Sequence, residues 1–390
     1  MERVLHVGLR TVTPLFPDET DPAGESVLSS VIGNSLRFWW RYLECLRVGG
    51  GGDRILSEER RIFGGPEGRS GIMEIRWDPG KVRVAKAQDA SPAYREFSPD
   101  LALLAEGLVK ERPLPTLERE VRAKARKPTR VYEPSRDFVD AREPIAFDVT
   151  FSGESKPDDP QRLYEALWAW CHLGGSGILA SKGWGSLRLE SPGNMAPPPA
   201  EGNLPYLMTE NLRKELAGIL AGPGGQDPGT RDAPGNPVVM CPHVADSWPK
   251  AVDWAGAKIR AYSRRGREEA AKEEARARLT GLFSSPPSAP SPESPREAPG
   301  GVPRVDPEFF RRPVSKAGPW GTEETVPEDA ESDESGDLFS LPFFIHFHAV
   351  ATGRVAVIFS CHPALRAGSG EERMRIVHAA KRFFSFLSTP

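Results

Sequence analysis

Two arginines flank a pair of adjacent tryptophans in the run Leu36-Arg37-Phe38-Trp39-Trp40-Arg41. Arg37 and Arg41 are four apart, so a helix puts both guanidiniums on one face. A forked donor pair there grips phosphate, or pairs with Glu44 and solvent. Phe38 and the tryptophans anchor such a helix on a sheet. A second run, Gly174-Gly175-Ser176-Gly177-Ile178-Leu179-Ala180-Ser181-Lys182-Gly183-Trp184-Gly185, is dense enough in glycine to bring backbone amides against an anion. A tight helix-to-strand turn asks for the same residues. The run lacks the GKS or GKT ending of a P-loop, which argues against a nucleoside triphosphate site.

Other clusters bear on binding, proton transfer and metals. The stretch Arg119 to Arg136 holds Arg122, Lys124, Arg126, Lys127 and Arg130, diluted toward a solvated face by Glu118 and Glu120. The basic residues from Lys258 to Arg278 alternate with Glu268, Glu269, Glu273 and Glu274, the pattern of an exposed, self-paired helix. Proton transfer would fall to histidine. His172 stands at a helix end, where histidines cap carbonyls or fill space, and His6 sits mid-strand with no visible acid or base partner. A zinc tetrad would need His346 and His348 together with Cys241 and His243. Alternating polar residues on a half-exposed strand explain that pair more simply. No catalytic residue, metal or cofactor is therefore expected.

At 390 residues the chain exceeds one hydrophobic core, and 39 prolines with 38 glycines imply long irregular stretches. A formal charge of -3 excludes a generally basic binder but not a local basic groove. Four scattered cysteines without CxxC spacing suit reduced thiols and a cytoplasmic location. No signal peptide is visible, and no apolar run approaches the roughly 20 residues that span a bilayer, so no membrane partner is expected.

The elements that must position these residues follow from periodicity. Val4 to Thr13 reads as a strand, Ile32 to Val48 as a helix, and Ile72 to Trp77 as a strand with Lys81 to Val84 continuing it. Ile145 to Phe151 is a strand, Pro160 to His172 a helix and Gly185 to Leu189 a strand. The order β-α-β-β-α-β is ferredoxin-like, the arrangement of RRM domains, which present an open sheet face to RNA. The expected class is α+β, with two tandem ferredoxin-like domains. Residues 1–192 form the first, with an insertion at 89–142, and residues 193–390 the second. Asn211 to Leu220 and Ala251 to Phe283 read as helices, the latter broken near Gly266. Leu341 to Val350 and Arg354 to Cys361 form a hairpin, followed by a helix over Glu371 to Leu387. Leu204 to Met208 is the segment left to complete the second sheet. The Pro/Ser/Glu-rich stretch 284–336 reads as a disordered insertion with an acidic run from Glu328 to Asp337.

LRFWWR on the first helix, Ile62 to Gly65 before the second strand, and HLGG…G…KGWGSL after the second helix together resemble the RAMP superfamily of CRISPR-associated proteins. Thr11 to Phe16 also matches, and the FWWR signature resembles the first subunit of type III-B (Cmr) complexes. The resemblance is sharp over residues 1–190 and loose beyond. It implies a non-catalytic subunit that binds the 3′ part of a guide RNA and helps admit target RNA beside other RAMP subunits. Cleavage then belongs to those others; the alternatives are a guide-processing endonuclease using His172 or His6, or an interaction module with little RNA affinity. The implied RNA-binding set is Asn34, Arg37, Arg41, Gly174, Gly175, Gly177, Lys182, Gly183, Trp184 and Gly185, with Arg122, Lys124, Arg126, Lys127 and Arg130 of the insertion. Two departures remove phosphate donors. Gly33-Asn34 stands where the family carries a basic residue and glycine, and Leu179, Ser181 and Lys182 stand where its loop carries arginines.

Overall fold

The computed structural model describes residues 3–17, 25–48, 52–65, 71–77, 82–89, 94, 97–105, 107–125, 127, 129–152, 155–177, 179–191, 204–221, 237–281, 344–350, 353–362 and 370–388. The stretch 284–336, expected to be a disordered insertion, lies outside the described residues.

The first half contains β1 (Arg3–Thr11), α1 (Glu25–Val48), α2 (Asp53–Phe63), β2 (Met73–Trp77), β3 (Val84–Ala85), α3 (Pro99–Leu104), β4 (Val109–Arg112), α4 (Thr116–Lys124), β5 (Val131–Pro134), β6 (Phe138–Val139), β7 (Pro144–Phe151), α5 (Asp159–Leu173) and β8 (Leu187–Ser191). The second half contains α6 (Leu204–Ala221), β9 (Val238–Ala245), α7 (Trp248–Gly281), β10 (Phe344–Ala349), β11 (Val355–Cys361) and α8 (Gly370–Leu387).

The first sheet is antiparallel in the order β2-β7-β1-β8. Alternation turns Val7, Leu9, Ile145, Phe147 and Val149 inward, where they share a core with α1 and α5. The main elements keep the β-α-β-β-α-β order, with α2 added after α1 and β3 to β6 inserted before β7. Val84 does not prolong β2; β3 pairs instead with β6.

The second sheet is antiparallel in the order β10-β11-β9. Two expectations are corrected here. Leu204 to Met208 is the start of α6, because Met208, Leu212 and Leu216 recur every four residues and bury one helical stripe. The strand at that place is β9, which Pro237 and Pro242 concealed; an edge strand tolerates proline. α7 also runs unbroken through Gly266, since one glycine among good helix formers costs only about 1 kcal/mol.

Both faces of this sheet are covered, and β11 is buried at every position. Ala356 and Ile358 join the core under the first sheet. Ile345, Phe347, Val357 and Phe359 pack on α7 and α8. The cores therefore run across the 192/193 boundary. Tyr42 of α1 hydrogen-bonds His362 Nδ1 at 2.8 Å, and His362 Nε2 bonds Ser360 Oγ at 2.9 Å. The insertion ties in as well: α3 docks on α7, with Arg260 donating to Pro99 O at 2.9 Å and pairing with Asp100 at 3.0 Å.

Burial between two layers also corrects the reading of His346 and His348 as half-exposed: both are buried. The His348 ring lies 4.9 Å from that of His172, which stacks on Trp168 at 4.7 Å. Burial pushes all three imidazoles down, His172 to about 4 and His346 to about 3. They stay neutral in the fold, while the unfolded chain takes up protons near 6.5. Stability is thus full above that value and falls as pH drops from it toward 4. His172 alone removes about 2 kcal/mol at about pH 5. Thermal melts across this range check the effect, and a His172→Gln variant should show a shallower pH slope than the parent.

Candidate nucleic-acid interface

α1 turns its signature inward. Phe38, Trp39 and Trp40 are core residues, and Trp39 meets Tyr42 edge-on at 5.5 Å. Arg37 and Arg41 converge on Glu59 of α2. Arg37 Nε donates to Glu59 Oε1, and its Nη2 to Gly64 O at 2.7 Å. Arg41 Nε and Nη2 donate to the two carboxylate oxygens at 2.5 and 2.6 Å. Arg41 and Glu59 are buried. The arginines clamp α2 onto α1 and do not line an open groove, which corrects the expected placement. Asn34 is half-buried on the same helix.

The glycine-rich loop is equally committed. Gly174, Gly175, Gly177, Gly183 and Gly185 are buried, and its amides are spent inside the fold. Ser176 N donates to Gly185 O at 3.0 Å, Gly185 N to Pro14 O at 2.8 Å, and Gly183 N to Ala180 O at 3.1 Å. A Cβ at Gly174 would lie 2.6 Å from the Trp39 ring. Gly183 adopts φ 89° against the ring of Phe347. The loop seats β10: Ile345 N donates to Ser181 O at 2.9 Å, and Lys182 bridges Ile345. Lys182 itself is half-buried. Trp184 is buried, its Nε1 donating to Leu104 O at 2.7 Å, with Phe16 edge-on at 5.4 Å. That packing leaves it no face for a base. The tight-turn reading of the run, not the anion nest, describes this geometry.

The outer face of the first sheet is open. Its outward positions include Val4, His6 and Arg10 of β1, Glu74 and Arg76 of β2 and Asp148 of β7. None is a Phe, Tyr or Trp, so bases have no stacking platform of the RRM kind there. Its charges are mostly paired, with Arg10 holding Glu190 through Nε at 2.7 Å and Nη2 at 3.0 Å. His6 does have a partner that sequence reading missed: cross-strand register puts Asp148 opposite, and Nδ1 meets Oδ1 at 2.7 Å.

Free cations gather on the insertion. β4 and β5 form a two-stranded ribbon capped by α4, a helix with no buried residue. Arg119, Lys124, Lys127 and Arg130 are exposed and have no ion pair among the described residues. Arg122 is half-buried and pairs with Glu118 at 3.2 Å; Arg126 lies outside the described residues. Leu117 and Val121, one turn apart, are 74% and 58% exposed. The arm thus projects unneutralised charge, and its ordering on a sheet ribbon fixes where that charge points.

Among the described residues no group of three or more His, Cys, Asp or Glu is placed to hold a metal ion, and no helix is long and apolar enough to cross a membrane. No curated protein matches the chain. Among solved structures, the chain is similar to the crystal structure of Cmr1 from Pyrococcus furiosus in its apo form, with 14% identity and a TM-score of 0.42 over 92% of this chain and 87% of that one. The family model of the RAMP superfamily matches residues 9–188, from β1 through the glycine-rich loop into β8. Over residues 9–188, 180 of its 390 residues, the chain is similar to the RAMP superfamily.

Proposed function

We propose that this protein is a non-catalytic, RNA-binding subunit of a type III-B CRISPR effector complex, working in the cytoplasm on guide and target RNA beside other RAMP subunits. The RAMP match and the LRFWWR and HLGG…KGWGSL signatures support the assignment. We read both sheets as ferredoxin-like units, the second lacking a fourth strand among the described residues. The observation that carries RNA binding is the arm, whose four exposed cations have no carboxylate partner among the described residues. It takes the place of Arg37, Arg41 and Trp184, which the core uses.

Single-strand binding loses a salt slope of roughly 0.7 for each phosphate contact removed. A variant with Arg119, Lys124, Lys127 and Arg130 all changed to alanine should therefore bind guide RNA with a slope lower by roughly 3, at unchanged melting temperature. Fluorescence anisotropy over a salt series measures it; an unaltered slope would remove the arm from the interface.

One observation favours the endonuclease alternative, and it concerns His6, because His172 is buried beyond reach of any RNA. His6 is exposed on the open sheet and hydrogen-bonded to Asp148, as a general acid or base needs. Metal-independent cleavage of repeat RNA by the purified chain, abolished in His6→Ala, would establish that reading. Under the proposed function no cleavage occurs.

A further inference from the structure

The arm presents more than charge. Helix α4 buries none of its residues, and its spacing puts Leu117, Val121 and Lys124 on one face, with Glu120 at the margin of that face. Arg119 falls on the opposite side. Over residues 108–136, eight described lysines and arginines stand against four glutamates. Lys110 pairs with Glu133 at 3.6 Å, while Arg112 and Arg122 share Glu118 at 3.4 and 3.2 Å. Arg119, Lys124, Lys127, Arg130 and Arg136 then remain without a partner among the described residues, against Glu111 and Glu120. An exposed aliphatic pair set in an excess of cations fits an occupant that is both acidic and apolar.

The chain itself carries such a segment. Between Lys316 and Arg354 it has eight carboxylates, all from Glu323 to Asp337, and no lysine or arginine. Val326 lies within the run, and Leu338 and Phe339 follow it directly. The run lies outside the described residues, which resume at Phe344. That point is fixed beside the root of the arm. Ile345 N donates to Ser181 O at 2.9 Å, and Trp184 of the same loop donates to Leu104 O at 2.7 Å. Ile345, Trp184, Leu104 and Leu108 share one core, and Leu108 directly precedes β4. Asp337 is seven residues before Phe344 and Glu323 is twenty-one. At about 3.3–3.6 Å per extended residue the chain reaches about 23 Å at the near end of the run and about 70 Å at its far end. Helix α4 is about 14 Å long, so the whole arm lies within that reach.

We propose that the arm is the docking surface for this chain's own acidic segment, residues 323–339. Lys124, Lys127 and Arg130 meet its carboxylates, and Leu117 and Val121 meet its apolar residues. The segment then competes with RNA for the same cations. That competition rests on the RNA-binding function proposed above; the docking does not. A segment held at an effective concentration of about 1 mM and docking with a constant of about 0.1 mM leaves the arm free about one-tenth of the time, so RNA binds about tenfold more weakly.

The test uses the full chain and begins without RNA. At about 50 mM salt, where exposed charges are weakly screened, a carbodiimide should join Lys124 or Lys127 to a carboxylate of residues 323–337 within one chain, as read by peptide mass spectrometry. Salt at about 1 M should abolish the link. Its absence at low salt overturns the proposal, as does a link formed only between two chains. Competition is then read by anisotropy with a labelled oligouridylate of about 20 nucleotides. A variant with all eight carboxylates amidated, Glu to Gln and Asp to Asn, should bind about tenfold more tightly than the parent. The same change made in K124A/K127A/R130A should bring no gain. An equal gain there is a general effect of net charge and overturns the competition, as does equal binding by parent and amidated variant. If the link forms but neither chain binds RNA, the docking stands and the proposed function falls.

Discussion

Replacing Gly183 by alanine is expected to cost about 3 kcal/mol and lower the melting temperature by roughly 5 °C. Two effects add at this position. Gly183 has φ 89°, a conformation that L side chains rarely adopt; holding one there costs about 1 kcal/mol. A Cβ would also overlap the Phe347 ring, and Phe347 is a fully buried residue of β10. Overpacking of this kind costs typically 1–3 kcal/mol. The control is Gly353→Ala, where φ is 77° but nothing lies within 4 Å. It should show the backbone effect alone. Equal losses in the two variants would mean that Phe347 moves aside freely and that Gly183 does not seat the second sheet.

Glu59→Ala should be as damaging, at about 3–5 kcal/mol, because it strands two guanidiniums that the fold has desolvated. Arg41 is buried and Arg37 nearly so, and Glu59 accepts from both. Its neighbour Glu58 gives the comparison. Glu58 pairs with Arg61 at 3.0 Å and Lys156 at 2.8 Å on a half-exposed surface, where removal costs less than about 1 kcal/mol. Urea denaturation of both variants at neutral pH separates the cases. If Glu59→Ala unfolds no more readily than Glu58→Ala, the arginines have swung to solvent, and a phosphate-binding role for them reopens.

The same two places show what the sequence discloses. Contiguous patterns are readable: alternation in Val4 to Thr13 and Ile145 to Phe151, the hairpin of β10 and β11, and the helical spacing in α8 that turns Val377, Phe384 and Leu387 inward, although Met374, expected on the same face, is exposed. The direction of Arg37 and Arg41 is not, because it depends on Glu59, which lies on a helix whose charged run SEERR masks its apolar stripe of Ile55 and Ile62. The glycine-rich run allowed both a turn and an anion nest; the choice rests with Phe347, in the other half of the chain. His346 and His348 looked half-exposed because alternation reports one covered face, and here a third layer covers the other. The cations of the arm were legible as a cluster. Which of them lack partners was not, since that depends on where Glu118 folds back.

The bond between Tyr42 and His362 spans 320 residues of chain. On a ribosome adding about 5–20 residues per second, the surface around Tyr42 and Trp39 waits roughly 15–60 s for β11 to emerge. Throughout that interval the part of α1 that His362 covers in the finished protein stays without its partner, while the rest of the helix can pack on the first sheet and α5. Expression of residues 9–188 alone would leave that part of α1 permanently uncovered.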